Sequence, residues 1–157
     1  MKPKISIITI NFNHSDFILR CKKSIDNQKF KKWEWIIVDD GSTDQSRKIL
    51  NSIKNLKIKI YYLNKNYGRG YARNYAIQKS KAEWCAILDM DDIMLPDRLL
   101  KIEKVSKLNY DYFCSSCLVV DNFGNIVKEI KPSNKLPIKY FAHATLACKK
   151  IILNKIK

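Results

Sequence analysis

Glycine is scarce in this chain: only four of its 157 residues are glycine, while 46% are hydrophobic. That composition excludes a disordered or low-complexity protein and predicts a folded domain with a core of its own. No run of 18 apolar residues occurs, so we predict no membrane-spanning helix. The amino-terminal residues enter a predicted strand at once and lack the apolar segment of a signal peptide. We therefore expect a cytoplasmic protein.

Paired metal-ligating residues are also lacking. The five cysteines are widely spread, and the two histidines form no cluster with them that would complete a zinc site. Cys114 and Cys117 have the spacing of a redox pair, but both fall within one predicted strand, where their thiols would point to opposite faces. We expect no catalytic or metal-binding role for any cysteine.

Acidic residues are the minority charge: 15 Asp and Glu stand against 30 Lys and Arg, for a net charge of +15. Nucleic acid, anionic lipid headgroups and phosphorylated substrates would all suit such a chain. The lysines are scattered among Asn and Ile, which compositional drift in an AT-rich genome also explains. Residues 128–157 hold eight lysines and one acid, Glu129, and are therefore a candidate membrane-surface or acidic-partner face.

Hydrophobic patterns alternate between strand and helix over the first two thirds of the chain. Strands are predicted at 5–10, 33–38, 59–63 and 84–88. Helices are predicted at 16–27, at 71–80 and after Pro96. A further helix is predicted to begin at a capping box formed by Ser42 and Gln45 and to end at about Asn55. This order is typical of a parallel sheet with helices on both faces. From Tyr110 the pattern changes to a strand at 112–120, a turn at 121–125 and a hairpin partner at 126–130. A loop at 132–137, a weak strand at 141–147 and a helix from 149 follow.

Polar residues follow each predicted strand, at the edge where open α/β sheets bind ligands. They are Asn11 and Asn13 after the first strand, Asp39 and Asp40 after the second, the segment 66–74 after the third, and Asp89, Asp91 and Asp92 after the fourth. Three neighbouring carboxylates repel each other unless a cation lies among them, and a divalent ion carrying phosphate oxygens suits such a group. Turn formation or helix capping explains each cluster singly, but four clusters on one rim favour a binding site.

Four segments together resemble glycosyltransferase family 2, the inverting nucleotide-sugar enzymes with a GT-A fold. They are residues 6–13 (SIITINFN), 37–44 (IVDDGSTD), 66–74 (NYGRGYARN), and the acidic cluster 89–92 with Pro96 to Leu99. The resemblance is strong over residues 4 to about 105. It implies an α/β, Rossmann-like, mostly parallel sheet flanked by helices, with a carboxyl-terminal antiparallel hairpin. Residues 1–157 would form one domain, with a nucleotide-sugar half at 1–108 and an incomplete acceptor side at 109–157.

The same resemblance implies roles for individual residues. Asp40 would accept the uracil N–H of a UDP-sugar, with Asp39 beside it, and Asp91 would meet the ribose and a metal-bound diphosphate. The implied nucleotide-binding set is Thr9, Asn11, Asp39, Asp40, Gly68, Arg69, Arg73, Asp89 and Asp91. The implied metal ligands are Asp91 and Asp92, for Mn²⁺ or Mg²⁺. The acceptor would be a glycan or a lipid-linked glycan.

The chain departs from the family in its last third. Members usually carry their general base in an acidic pair well downstream of the metal motif, whereas Glu129 is the only acid after Asp121 here. The chain therefore resembles a carboxyl-terminally truncated member, and His143 is a weak alternative base. Two hypotheses stay open: a sugar transferase, or a nucleotide-sugar-binding fragment with impaired catalysis.

Other function classes fit the sequence less well. A nucleic-acid partner is not expected, because the chain lacks the usual interleaving of aromatic and basic residues. A nicotinamide-dependent enzyme is excluded, because no G-x-G-x-x-G follows the first strand. A truncated domain would expose apolar surface, so we also expect self-association.

Overall fold

The computed structural model describes residues 2–121, 123–131 and 145–154. Within these ranges the strands are β1 (Ile5–Asn11), β2 (Trp33–Asp39), β3 (Ile58–Tyr62), β4 (Trp84–Ile87), β5 (Tyr112–Cys114), β6 (Cys117–Val120), β7 (Ile126–Ile130) and β8 (Leu146–Lys149). The helices are α1 (Ile18–Asp26), α2 (Ser46–Ser52), α3 (Arg69–Lys79), α4 (Arg98–Ser106) and α5 (Lys150–Leu153), and a 3₁₀ turn (Ser15–Phe17) precedes α1.

Six of these strands form one sheet in the order β3-β2-β1-β4-β8-β5, and β6 and β7 form a separate hairpin. The strands from β1 to β4 are mutually parallel, whereas β8 runs antiparallel to both of its neighbours, β4 and β5. The prediction of an α/β fold with a mostly parallel sheet and an antiparallel hairpin is confirmed. The carboxyl ends of the first four strands meet at one edge of the sheet, which we call the carboxyl edge.

Both faces of the central strands are buried, as their unbroken apolar runs require. On one face Ile7, Trp35 and Ile37 belong to a core cluster that also takes in apolar residues of α1 and α4. On the other face Ile8 and Ile36 belong to a second cluster, shared with α3. Rigid packing on both faces fixes the positions of the loops at the carboxyl edge.

The predicted capping box before α2 is wrong. The helix begins at Ser46, and the Oδ1 atom of Asp44 accepts the Ser46 backbone N–H at 2.9 Å. The hydroxyl oxygen of Ser42 instead accepts the backbone N–H of Asn13 at 3.0 Å. The helix also ends at Ser52 rather than near Asn55, because Ile53 is already extended.

The prediction of one strand over 112–120 is also wrong. β5 pairs with β8 and β6 pairs with β7, so Ser115 and Ser116 separate two strands that belong to different sheets. Cys114 and Cys117 are free thiols, and burial raises the pKa of Cys114. The predicted loop at 132–137, most of the weak strand at 141–147, and His143 lie outside the described residues. In the described ranges, every helix is too short or too polar to cross a bilayer.

Candidate functional site

A cavity of about 470 Å³ opens at the carboxyl edge. It is lined by residues from the loops after all four parallel strands and from α3: Ile10, Phe12, His14, Asp40, Asn66, Gly68, Arg69, Arg73, Asp89, Met90 and Asp91. Its size falls within the range of about 300–1,000 Å³ that small-molecule sites occupy. Six of the predicted site residues line it, namely Asp40, Gly68, Arg69, Arg73, Asp89 and Asp91.

Asp40 holds the loop after β3 against the loop after β2. Its two carboxylate oxygens accept the backbone N–H groups of Tyr67 and Gly68 at 2.8 and 2.9 Å. Gly68 has a φ of +88°, which favours glycine. The loops approach so closely that a Cβ on Gly41 would lie 2.4 Å from the carbonyl carbon of Lys65. The Asp40 wall of the cavity is therefore fixed by backbone contacts on both of its sides.

Three predicted site residues lie beneath the cavity and do not line it. Asp39 is fully buried, and its Oδ2 atom accepts the side-chain N–H of Asn11 at 2.8 Å. Its Oδ1 atom accepts the backbone N–H of Ser42 at 3.1 Å and the Nε–H of Arg47 at 3.0 Å. Thr9 accepts the indole N–H of Trp35 at 2.8 Å. This buried network supports the loop that carries Asp40, and Arg47 is a member that the sequence analysis missed.

Asp89 and Asp91 form the acidic wall of the cavity, opposite in charge to Arg69 and Arg73. The guanidinium Nη2 atom of Arg73 lies 3.8 Å from the Oδ1 atom of Asp89. Burial and then the charges of Asp91 and Asp89 raise the pKa of Asp92 to about 6. The cavity thus presents two arginines beside a group of carboxylates that repel each other.

A divalent cation suits these carboxylates. Within the described residues, no group of three or more His, Cys, Asp or Glu side chains forms a complete metal cage. Mg²⁺ and similar hard cations are often held by one or two carboxylates and completed by substrate phosphates and water. Asp89 and Asp91 line the cavity and offer such a partial ligand set, whereas Asp92, the other predicted metal ligand, is not among the lining residues.

Two arginines outside the predicted set support the loop after β4, residues 88–97, which we call the acidic loop. Arg20, on α1, donates from Nη2 to the backbone carbonyl of Asp91 at 3.0 Å and lies over the ring of Phe17. Burial lowers the pKa of Arg98 to about 10, so this guanidinium stays charged at neutral pH, and the Asp92 charge opposes that shift. Arg20 has no local sequence signal, because it acts on a residue 71 positions away in the chain. Arg98 lies within the segment Pro96 to Leu99 that carries the family resemblance, but the sequence analysis gave it no role.

Five further residues line the cavity that the implied binding set did not include: Ile10, Phe12, His14, Asn66 and Met90. All except His14 lie in the segments that carry the family resemblance. The ring of His14 packs at a tilt against Phe17, with 5.7 Å between ring centroids. Phe12 and His14 lie in the loop after β1. Their position just beyond the end of a strand is the sequence feature that could have identified them as cavity residues. The histidine that the sequence analysis considered instead, His143, lies outside the described residues.

Solved structures of the same fold confirm the GT-A architecture. The crystal structure of Staphylococcus aureus TarS 1–349 in complex with UDP-GlcNAc matches 98% of this chain and 47% of that chain, with a TM-score of 0.80 and 23% identity. The mannosyltransferase PcManGT from Pyrobaculum calidifontis, in complex with GDP-Man and Mn²⁺, matches 99% of this chain and 47% of that chain, with a TM-score of 0.75 and 19% identity.

Curated relatives match over most of the chain. An uncharacterized glycosyltransferase of Methanocaldococcus jannaschii is 33% identical over 171 residues, spanning 99% of this chain and 59% of the relative. A GalNAc(5)-diNAcBac-PP-undecaprenol beta-1,3-glucosyltransferase of Campylobacter jejuni is 32% identical over 130 residues, spanning 81% of this chain and 42% of the relative. The chain thus spans about half the length of the relatives it matches. The family model for glycosyl transferase family 2 matches residues 6–152, and the chain therefore belongs to that family.

Proposed function

We propose that the cavity binds a nucleotide-sugar, with UDP as the nucleotide. The protein would transfer the sugar, with inversion, to a glycan or lipid-linked acceptor in surface polysaccharide synthesis. The observation that carries this proposal is the cavity itself, which places Asp89 and Asp91 beside Arg69 and Arg73 in a family 2 chain. Its setting would be the cytoplasm, with a peripheral contact at the inner face of the membrane.

The charges of the cavity suit a nucleoside diphosphate. Arg69 and Arg73 would bind phosphate oxygens, while Asp91 and Asp92, with Asp89 beside them, would hold Mn²⁺ or Mg²⁺. When bound, the cation acts as a Lewis acid that stabilises the charge of the leaving diphosphate. Asp40 also lines the cavity and would contact the nucleobase, although its oxygens already accept two backbone N–H groups.

The general base is not assigned among the described residues. Glu129 lies on β7, forms an ion pair with Lys131 at 3.3 Å and is not among the residues that line the cavity. An inverting transfer requires a base within hydrogen-bond reach of the acceptor hydroxyl. A second candidate function therefore stands beside the first: a module, built from residues 1–108, that binds nucleotide-sugar and has little turnover by itself.

Both candidate functions require a nucleotide site that binds with the help of a metal ion. Calorimetric titration of UDP into the chain tests this requirement. We expect binding in Mn²⁺ that is at least ten-fold weaker in EDTA, since the ion links carboxylate to phosphate. Asp91→Ala should abolish the metal dependence. Asp26→Ala is the matched control, because it removes an exposed carboxylate that pairs with Lys22 on α1. GDP titrated in parallel tests the preference for uracil.

Two results would contradict the proposal. One is a folded wild-type chain that binds neither UDP nor GDP with Mn²⁺ present. The other is equal loss of binding in Asp91→Ala and Asp26→Ala. If UDP binds as expected, hydrolysis of UDP-sugars and transfer to added glycan acceptors then separate an active transferase from a binding module.

A further inference from the structure

Lysine and arginine occupy opposite edges of the sheet. All five arginines lie in the first two turns of helices that follow the carboxyl edge: Arg20, Arg47, Arg69, Arg73 and Arg98. In the four loops that leave this edge, at 12–17, 40–45, 63–68 and 88–97, Lys65 is the only lysine. The acids Asp16, Asp40, Asp44, Asp89, Asp91 and Asp92 share those loops, and Asp97, at the end of the last loop, pairs with Lys29 of the loop before β2 at 2.8 Å. The carboxyl edge therefore carries acidic residues and arginines, but almost no lysine.

The opposite edge, where the parallel strands begin, is rich in lysine. It carries Lys2, Lys4, Lys31, Lys32, Lys57, Lys81, Lys107, Lys149 and Lys150, which we call the lysine edge. Backbone contacts join these segments: the Lys4 N–H donates to the Lys32 carbonyl at 2.8 Å, and the Lys150 N–H donates to the Glu83 carbonyl at 2.7 Å. Six strands spaced by about 4.8 Å make this edge about 24 Å long.

Several of these lysines carry uncompensated charge. Lys32, Lys57 and Lys81 are exposed and have no acidic partner within the part of the chain that the structure describes. Lys57 instead donates from Nζ to the backbone carbonyl of Lys31 at 3.0 Å and lies over the ring of Trp33. Compositional drift alone would place lysine on both edges alike. The dipoles of the helices that end at this edge also favour lysine here, but they do not account for lysines such as Lys32 and Lys81, which lie beyond the helix ends.

Exposed leucines mark the two ends of the lysine edge. Leu56 lies just before β3, the outer strand on one side, and 92% of it is exposed. Leu108 lies before β5, the outer strand on the other side, and 55% of it is exposed. Lysine with exposed aliphatic side chains is the composition that binds anionic membranes, where the headgroups attract the ammonium groups and apolar side chains enter the acyl boundary.

We propose that the lysine edge is a docking surface for a bilayer of anionic lipid. Nucleic acid fits it less well, because its readers use arginine forks and stacking aromatic rings, and every arginine here lies at the other edge. This inference deepens the membrane contact of the proposed function and rests on it for its setting, but the binding itself requires no nucleotide. Docked in this way, the cavity would open away from the bilayer, about 23 Å from it along the seven residues of β1.

Vesicle sedimentation tests the proposal on the whole chain. We expect binding to phosphatidylcholine vesicles that contain 30% phosphatidylglycerol, no binding to phosphatidylcholine alone, and weaker binding at 0.5 M NaCl. Replacing Lys2, Lys32 and Lys81 together by Gln should weaken the partition coefficient about 100-fold, since each lysine near such a surface contributes about a factor of five. Leu56→Ser should weaken it about ten-fold.

Matched controls remove the same groups elsewhere. Replacing Lys48, Lys101 and Lys128 by Gln lowers the net charge equally, and Leu19→Ser removes a leucine that is 60% exposed on α1. Each control should change the partition coefficient less than about five-fold. Every variant should bind UDP as tightly as wild type does. A chain that binds vesicles but not UDP would overturn the proposed function without contradicting the docking surface.

Three results would overturn the docking surface. They are no binding of wild type to anionic vesicles, an equal loss of vesicle binding in the lysine-edge and control variants, and equal binding to vesicles with and without phosphatidylglycerol. Binding to a duplex DNA of 20 base pairs without binding to vesicles would likewise overturn it, in favour of a nucleic-acid partner.

Discussion

At the scale of single residues, the ionisation of Asp92 in the acidic loop makes the stability of the fold depend on pH. Burial and the neighbouring charges of Asp91 and Asp89 raise the pKa of Asp92 to about 6. A carboxyl group with a raised pKa favours the folded state when it is protonated. Its stabilising contribution is full below the pKa of the unfolded chain and is lost as the pH rises through about 6. Without metal, the ionised group therefore destabilises the fold at neutral pH and above.

Replacing Asp92 by Asn keeps the shape of the side chain and removes this titration. In EDTA we expect the variant to gain melting temperature at pH 7.5 and to gain about half as much at pH 5, because the loss begins at the pKa of the unfolded chain and is only partly complete at pH 5. Differential scanning calorimetry at both values measures the difference. Asp26→Asn is the control and should show no such gain at pH 7.5, since Asp26 pairs with Lys22 at 2.6 Å. An equal gain for Asp92→Asn at both pH values would contradict the argument.

Asp39 and Asp40 show how far single residues could be predicted. Both follow a strand of buried apolar residues, so the sequence places both at the ligand-binding edge. Side chains alternate along a strand, and Asp39 is in register with Asn11, to which it is hydrogen-bonded beneath the cavity. Asp40 turns instead toward the loop after β3. The sequence identified the acidic pair but not its division of roles, because that depends on cross-strand neighbours 28 residues away in the chain.

At the scale of elements, one buried amide holds the acidic loop to the helices around it. Gln28 is fully buried after the end of α1. Its Nε2 atom donates to the carbonyls of Met94 and Leu95 at 3.1 and 2.8 Å, and its Oε1 atom accepts the N–H of Leu99 at 3.1 Å. Gln28 thus joins the end of α1 to the exit of the acidic loop and to the start of α4, beside the Ser24 hydroxyl, which accepts the Met94 N–H at 3.1 Å.

Gln28→Leu should destabilise the protein by about 3 kcal/mol, because it leaves several buried backbone groups without hydrogen-bond partners. Urea unfolding measures this loss, and amide hydrogen exchange should show faster opening of residues 94–99. Gln78→Leu, on the exposed face of α3, is the control and should change stability by less than about 0.5 kcal/mol. If the two variants lose equal stability, Gln28 does not hold the loop.

The order and type of the first elements could be predicted because the strands are continuous apolar runs and the helices between them are amphipathic. Their ends could not be predicted as well. Ser42 and Gln45 have the spacing of a capping box, yet the hydroxyl of Ser42 also accepts the side-chain N–H of Asn11, at 3.1 Å. A long-range polar contact therefore displaced a local one. The division of residues 112–120 between two sheets had no local signal either, since both strands are apolar.

At the scale of the whole molecule, the net charge of +15 could be read from the sequence, but its division between two edges could not. That division follows from topology: in a parallel sheet, every loop before a strand lies at one edge and every loop after it lies at the other. Lysines that look scattered along the chain are therefore brought together. The same topology gathers the acidic residues of four separate segments around the cavity.

The hairpin of β6 and β7 leaves apolar surface open to solvent. In the described part of the chain, its strands pair with each other and with no strand of the large sheet. Phe123 is 91% exposed, and Ile126 and Val127 are about two thirds exposed, at 65% and 66%. Neighbouring exposed apolar side chains of this kind mark an interaction surface. Repulsion between highly charged copies opposes contact through it.

We therefore expect the chain to self-associate, and to do so more strongly as salt screens its net charge. Sedimentation velocity at 0.1 and 0.5 M NaCl should show the larger species growing with salt, the opposite of the salt dependence expected for vesicle binding. Replacing Val120, Ile126 and Val127 by Thr keeps β-branched side chains on the hairpin and should reduce association at least ten-fold. Replacing the exposed Leu19 and Ile151 by Thr should not. Association that falls with salt, or that survives the hairpin substitutions, would place the contact on the charged edges instead.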